Sequence, residues 1–150
     1  HPDELLFIVV HQASELWFKV VLHELDGLRG AMAAPFVDGA AQAVERALWH
    51  AGRLNALTRI VAGQLAALDT LPPQRFLQFR GYLGSSSGSQ SVQFRAIEAA
   101  SGLRDDDFLR IVGAPDRVPA IVAAELAKPT LQSLFLGLLE ALGVELEALY

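Results

Sequence analysis

The chain has 150 residues, of which 52% are hydrophobic, and it carries a formal net charge of −5. This size and apolar content suit one domain that buries about 70% of its unfolded surface, while the acidic balance and the scattered Arg and Lys residues argue against a nucleic-acid partner. The absence of cysteine excludes disulfides, thiolate metal sites and cysteine nucleophiles, and it fits a cytoplasmic protein.

The first predicted element is one long helix over residues 3–32. Its apolar residues recur at helical intervals without an intervening proline, and Asp3 and Glu4 suit the positive end of the helix dipole. Pro2 is tolerated in a first turn. The apolar run from Leu5 to Val10 is far shorter than the ~20 residues that a membrane span requires. We therefore expect a soluble chain with no membrane partner.

Proline and glycine divide the rest of the chain into further predicted helices. Asp38 is the expected cap of the second helix, and a Ser/Gly loop at 84–89 separates two later ones. The predicted ranges are 40–68, 74–83, 90–100, 105–112, 121–127 and 129–150. Because no alternating strand pattern occurs, the predicted fold class is all-α, a helical bundle of long and short helices in one domain over residues 1–150.

Polar and aromatic side chains form a stripe along the first predicted helix at steps of four residues. They are Phe7, His11, Glu15, Lys19 and His23. His11 follows six apolar residues, so its imidazole needs a partner if it is buried. The pattern alone favours a core histidine bonded to a neighbour such as Glu15. His23 and His50 lie among charged neighbours, and we predict surface positions without a role for both.

Arg80 stands among aromatic residues immediately before the Ser/Gly loop. A buried guanidinium suits bidentate capture of a carboxylate, as in an amino acid or a keto acid. The competing interpretation is a structural salt bridge to Glu15 or Glu98. The loop offers backbone N–H groups ahead of a helix, but it lacks the spaced glycines and the lysine of a phosphate-binding loop.

Two other kinds of site fail on spacing. A di-iron bundle needs Glu-x-x-His on two helices, and no such pair occurs, although His11 and Glu15 have the (i, i+4) spacing at which two side chains can share a metal. A serine hydrolase needs a Gly-x-Ser-x-Gly turn after a strand, and the sequence contains neither.

Two segments resemble the tryptophan 2,3-dioxygenase family. The first is LLFIVVHQASELWFK at residues 5–19, followed by HEL at 23–25. The second is FRGYLGSSSGSQSVQFRAIE at residues 79–98. A weaker stretch from Pro115 through Pro129 and Leu139 also resembles the family, so the similarity spans nearly the whole chain and about the N-terminal half of a full-length enzyme.

The resemblance implies a helical, haem-dependent oxidoreductase of tryptophan catabolism in the kynurenine pathway. Family enzymes are homotetramers that use haem b and O2 to insert both oxygen atoms across the indole C2–C3 bond of L-tryptophan, giving N-formylkynurenine. His11 would orient the indole nitrogen by a hydrogen bond, with proton transfer by it left open. Phe7 and Phe76 would wall the indole pocket, and Arg80 would bind the substrate carboxylate. By the same resemblance Ser87 and Gly88 would lie near haem and substrate.

The chain departs from the family pattern at two places. The family has an aromatic residue where this chain has Ser89, which removes bulk beside the proposed pocket. The proximal haem histidine of the family lies downstream near a Gly-Thr-Gly-Gly segment, and none of the four histidines here matches it, so no metal ligand is assigned. We expect the chain to be part of a longer enzyme and to have little turnover alone. The alternative function is a non-catalytic helical module that binds an aromatic amino acid or assembles with partner subunits.

Overall fold

The computed structural model describes residues 2–33, 40–84, 90–104, 108, 110 and 118–145. These residues form six α-helices and two short 3-10 helices, and the described part contains no strand. The helices are α1 (Pro2–Ala33), α2 (Ala40–Ala66), α3 (Pro73–Arg80), α4 (Val92–Ser101), α5 (Ala120–Leu126) and α6 (Leu131–Ala141). The predicted all-α class is confirmed.

Helix α1 is the central element and packs against α2, α4 and α6. Its buried residues recur at steps of three and four, which places them on one stripe facing the other helices. The stripe includes Val10, Ser14, Phe18, Val21, Leu25 and Leu28. The prediction of one helix over 3–32 is confirmed to within one residue at each end.

The second and third helices differ from the prediction at their ends. Helix α2 stops at Ala66 and tightens into a 3-10 turn over Ala67–Thr70, closed by the Leu71 amide donating to the carbonyl of Leu68 at 2.9 Å. Helix α3 begins at Pro73, where a missing N–H costs nothing, and a second 3-10 turn over Gly81–Leu83 follows it. The expected cap at Asp38 lies outside the described residues.

Helix α4 approaches its neighbours closely because its buried face consists of small residues. Ala96, Ala99 and Ala100 have no exposed surface, and they pack with residues such as Val122 of α5 and Val21 of α1. Ser91 caps the helix by accepting a hydrogen bond from the amide of Phe94 at 3.1 Å. This packing holds the part of the second motif that lies on α4 against the first motif, which lies on α1.

The last helix is shorter than predicted, because α6 ends at Ala141 and not at Tyr150. Gly143 adopts φ 80°, and its amide donates to Glu140 while the amide of Val144 donates to Leu139. Such a left-handed glycine terminates a helix by satisfying its last carbonyls. Of the predicted helix at 105–112, only Phe108 and Arg110 are described, and both are helical.

One described helix, Asp3–Ala33, is long and apolar enough by length and composition to cross a membrane. The same criterion is met by core helices of soluble proteins. The buried stripe of α1 contacts the clusters formed with α2, α4 and α6. On that stripe, the apolar side chains of α1 therefore pack inside the protein.

Candidate functional site

A cavity of about 680 Å³ lies beside α1, near the end of α2 and the beginning of α4. Small-molecule sites commonly have this volume and are mostly apolar with a few fixed polar groups. The described residues around the cavity are Phe7, Ile8, His11, Gln12, Ser14, Glu15, Phe18, Leu65, Leu83, Gln90, Ser91 and Phe94. Three phenylalanines and one carboxylate in this set suit a ligand that is aromatic at one end and polar at the other.

Helix α1 supplies more than half of this wall, because its residues at steps of three and four face the same way. Phe7, His11 and Glu15 mark successive turns of that face, and Phe18 continues it. The sequence stripe is therefore a cavity wall in its first half. Lys19 and His23, which continue the stripe, are exposed.

The imidazole of His11 has a defined proton position. Its Nδ1 lies 2.8 Å from the carbonyl oxygen of Phe7, and a carbonyl only accepts, so Nδ1 carries a proton. In the neutral ring Nε2 is then an acceptor. The partner favoured from sequence, Glu15, is thus not the observed one. The tautomer suits a ligand that presents an N–H.

An aromatic trio fixes the Phe7 end of the cavity. Phe7 lies 5.4 Å from Phe76 and 5.8 Å from Phe79 between ring centroids, and Phe76 meets Phe79 edge-on at 5.4 Å. Each such pair contributes about 0.5–1.5 kcal/mol beyond burial. Phe79 is fully buried, while Phe76 lies behind Phe7 and is not among the residues around the cavity. Phe76 and Phe79 therefore fix the Phe7 ring, and the centroid of that ring lies 4.2 Å from the centroid of the His11 ring.

Arg80 lies at the last turn of α3 and is half-buried. Its Nη1 donates to the carbonyl of Gly84 at 2.8 Å. The two acids considered as structural partners have other contacts, since Glu98 pairs with Arg95 at 2.7 Å and Glu15 accepts from Gln93. Arg80 is not part of the cavity wall, although Leu83, three residues later, is.

Glu15 is held by a residue that sequence reasoning did not single out. The Nε2 of Gln93 donates to the Glu15 carboxylate at 2.6 Å and to the Glu15 backbone carbonyl at 2.9 Å. Nearby, the buried hydroxyl of Ser14 donates to Val10 at 2.8 Å and accepts from Gln64 at 2.7 Å. These bonds join α1 to α2 and α4 around the cavity. The sequence of the two motifs did not indicate that Glu15 pairs with Gln93 or that Ser14 pairs with Gln64.

The predicted site residues therefore divide into three groups. Phe7 and His11 line the cavity, whereas Phe76 and Arg80 lie behind or beside it. Ser87 and Gly88, together with the departing residue Ser89, lie outside the described residues.

His50 is not the surface residue that the sequence predicts. Its side chain is 18% exposed, and its Nδ1 donates to Glu24 at 2.8 Å. Arg53 donates to the other oxygen of Glu24 at 2.9 Å. The cluster lies between α1 and α2 and stabilises their packing.

The described residues contain no group of three or more His, Cys, Asp or Glu side chains able to hold a metal. Of the three described histidines, His11 and His50 each commit Nδ1 to a neighbour, and His23 is exposed. No haem ligand is assigned among them.

The profile of the tryptophan 2,3-dioxygenase family matches residues 1–113. A tryptophan 2,3-dioxygenase of Nocardioides sp. is 41% identical over 146 residues, covering 94% of this chain and 52% of the relative. That of Kineococcus radiotolerans is 41% identical over 148 residues, covering 99% and 49%. That of Rhodococcus jostii is 36% identical over 148 residues, covering 99% and 50%. The chain thus spans about half the length of the curated relatives it matches.

Proposed function

Because the chain belongs to the tryptophan 2,3-dioxygenase family, we propose that it carries the substrate side of a dioxygenase acting on L-tryptophan or a related indole. The reaction opens the indole ring at C2–C3 and yields N-formylkynurenine. The observation that carries the proposal is the cavity beside α1, in which an imidazole with a fixed tautomer stands next to phenylalanine rings.

His11 is the proposed orienting and catalytic residue. Its Nε2 accepts a hydrogen bond from the indole N–H, which Nδ1 cannot do because it donates to Phe7. The Phe7 ring provides an apolar wall for the indole, and Phe76 supports that ring from behind. Orientation of this kind reduces the entropic part of the barrier and excludes water from the reacting ring.

Arg80 is the proposed carboxylate-binding residue. One of its donors is committed to Gly84, and a guanidinium has five N–H donors in a planar fork. The remaining donors match the two oxygens of a carboxylate. Ser87 and Gly88 belong to the same proposal as residues near the substrate.

Haem b, when bound, supplies the iron that activates O2. No ligand for that iron is assigned in this chain, so the proposal gives these residues only binding, orientation and exclusion of water. We also propose that the full-length protein is a soluble, cytoplasmic homotetramer.

The indole role of His11 is tested in the full-length protein by calorimetry with L-tryptophan and 1-methyltryptophan, which has no indole N–H. His11→Ala should weaken tryptophan binding by about 1 kcal/mol, roughly fivefold, because one neutral hydrogen bond is lost. Binding of 1-methyltryptophan should not change by this amount. If His11→Ala weakened the binding of both ligands equally, the proposed hydrogen bond between His11 and the indole N–H would be contradicted.

The role of Arg80 is tested with Arg80→Ala and the matched control Arg59→Ala, an exposed arginine on α2. Loss of a charge-assisted bidentate contact should cost about 2 kcal/mol, roughly 30-fold in the Kd for tryptophan. The control should bind as the unmodified protein does. Formation of N-formylkynurenine by the haem-loaded enzyme gives the activity readout, and no oxidation of any indole would contradict the proposed function.

A second candidate is a non-catalytic helical module, and the exposed apolar side chains on α1 and α2 favour it. Leu16 is 66% exposed, Leu48 68% and Trp49 56%. Large exposed apolar surface is typical of interaction sites. Tight tryptophan binding without turnover in the haem-loaded full-length protein would support this function over the first.

A further inference from the structure

One face of α2 is exposed along most of the helix. Its residues recur at helical intervals within about a third of the helix circumference, whereas the opposite side packs on α1, where Ala47 and Leu57 are buried. Exposed apolar surface of this kind is typical of an interaction site. We call this surface the α2 face, and it includes Glu45, Leu48, Trp49, Gly52, Ala56 and Arg59.

Two opposite charges stand at equal distances from the centre of the α2 face. Glu45 precedes Gly52 by seven residues and Arg59 follows it by seven, which is about two helical turns in each direction. Neither charged side chain has an ion pair or a hydrogen bond within the described part of the chain. Arg53, which lies beside this face, is by contrast paired with Glu24.

This arrangement is complementary to itself. A two-fold axis through Gly52, at right angles to α2, places a second copy of the helix antiparallel to the first. Glu45 of each copy then lies opposite Arg59 of the other, so the ion pair forms twice, as a two-fold interface requires. Leu48 lies opposite Ala56 by the same symmetry, which sets a large side chain against a small one. A parallel pair would instead put like charges opposite each other.

We propose that the α2 face binds the same face of a second copy of this chain, in an antiparallel helix pair centred on Gly52. A Cβ built at Gly52 would meet no atom within 4 Å, so a second helix can approach this backbone closely. A hollow of about 380 Å³ beside Glu45 and Trp49 gives room for the Arg59 side chain of the second copy. The proposal rests on the homotetramer proposed above and deepens it, because it names one contact between subunits.

A charge exchange tests the pairing in the full-length protein. Glu45→Arg and Arg59→Glu, each alone, put like charges opposite each other, and the double variant restores the attraction. Sedimentation velocity over a range of protein concentrations, at low ionic strength where exposed charges are least screened, measures the association. We expect each single variant to weaken it at least tenfold and the double variant to recover it. The matched control is Glu140→Arg, at an exposed carboxylate on α6, which should associate as the unmodified protein does.

Single variants that associate normally would overturn the pairing, and so would a double variant that associates no better than either of them. A cysteine at the two-fold axis gives a second measurement, because it faces its own copy and helix axes 8–10 Å apart bring the two sulfurs within disulfide reach. Oxidised Gly52→Cys should form a covalent dimer in excess of the unmodified protein. The control is Gly30→Cys, at an exposed glycine on α1 with equal space around it, and equal cross-linking of the two variants would overturn the pairing.

The outcome for the pairing is separate from that for the indole site. Leu65, which lines the cavity, lies on the side of α2 away from the α2 face, so tryptophan binding is measured independently of the association. An unmodified protein that stays monomeric would overturn the pairing and the homotetramer but not the indole site. Loss of tryptophan binding or oxidation in an associated protein would contradict the proposed reaction alone.

Discussion

At the scale of single residues, two glycines on α1 have opposite consequences. A Cβ built at Gly27 would lie 2.6 Å from Nε2 and 2.7 Å from Nδ1 of His50, whereas at Gly30 it would meet no atom within 4 Å. Gly27 thus provides the space in which His50 reaches Glu24, a carboxylate that is only 2% exposed. The sequence shows two similar glycines, and only the neighbouring helix distinguishes them.

Gly27→Ala should destabilise the protein by about 1–3 kcal/mol, because the added methyl displaces a well-packed ring and the Glu24 bond with it. Gly30→Ala is the matched control and should stabilise by about 0.5–1 kcal/mol through helix propensity. Urea denaturation followed by circular dichroism measures both. Equal free energies of unfolding for the two variants would contradict the role of Gly27.

At the scale of helices, α1 and α5 are joined by a buried ion pair. Arg29 and Glu125 are 5% and 7% exposed at their side chains, and the Nη2 of Arg29 donates to Glu125. Arg104, which follows α4, also holds α5, because its guanidinium donates to the carbonyls of Glu125 and Leu126 at the end of that helix. Short helices such as α5 depend on tertiary contacts of this kind.

Glu125→Leu should destabilise the protein by less than the about 3–5 kcal/mol of a fully unpaired buried charge, because Arg29 loses its buried acid but keeps the half-exposed Asp26. The double variant Arg29→Met with Glu125→Leu removes both charges and should be more stable than the single variant. Chemical denaturation of the three proteins gives the comparison. A double variant less stable than Glu125→Leu would show that the pair is not the source of the cost.

At the scale of the whole molecule, a charged cluster that links α1 to the end of α5 contributes stability that depends on pH. Burial acts to raise the pKa of Asp26, but hydrogen bonds from Arg29 and Lys128 and their charges outweigh it and lower that pKa below 3.8. The hydrogen bond to Glu125, against a smaller effect of burial, raises the pKa of Lys128 above 10.5. Asp26 therefore stabilises the fold above its unfolded pKa, and Lys128 does so below its unfolded pKa.

Lys128→Met should lower the free energy of unfolding at neutral pH by up to about 1 kcal/mol, since the pair is partly exposed and screened. The difference should shrink as pH rises through the raised pKa of Lys128. Asp26→Asn should likewise cost stability at neutral pH, and that cost should disappear as pH falls through the lowered pKa of Asp26. Denaturation across the pH range measures this, with the exposed Lys19→Met as control. A pH-independent difference would be the contradicting result.

The sequence by itself determined the helices and the identity of the motif residues. Helical periodicity is a local property, so α1 was predicted to within a residue at each end, and the two motifs named His11 and Arg80 as candidates. The end of α6 was predicted wrongly, because a left-handed Gly143 stops the helix while the apolar pattern continues.

Only the tertiary structure decided which of these residues share a cavity and which are paired. Glu15 and Gln93 are 78 residues apart, and their contact depends on the register and angle at which α1 and α4 pack. The same holds for His50, which looked like a surface residue and is held beside Gly27. Periodicity determines which face of a helix is buried, but the positions of the facing atoms follow from packing between distant segments.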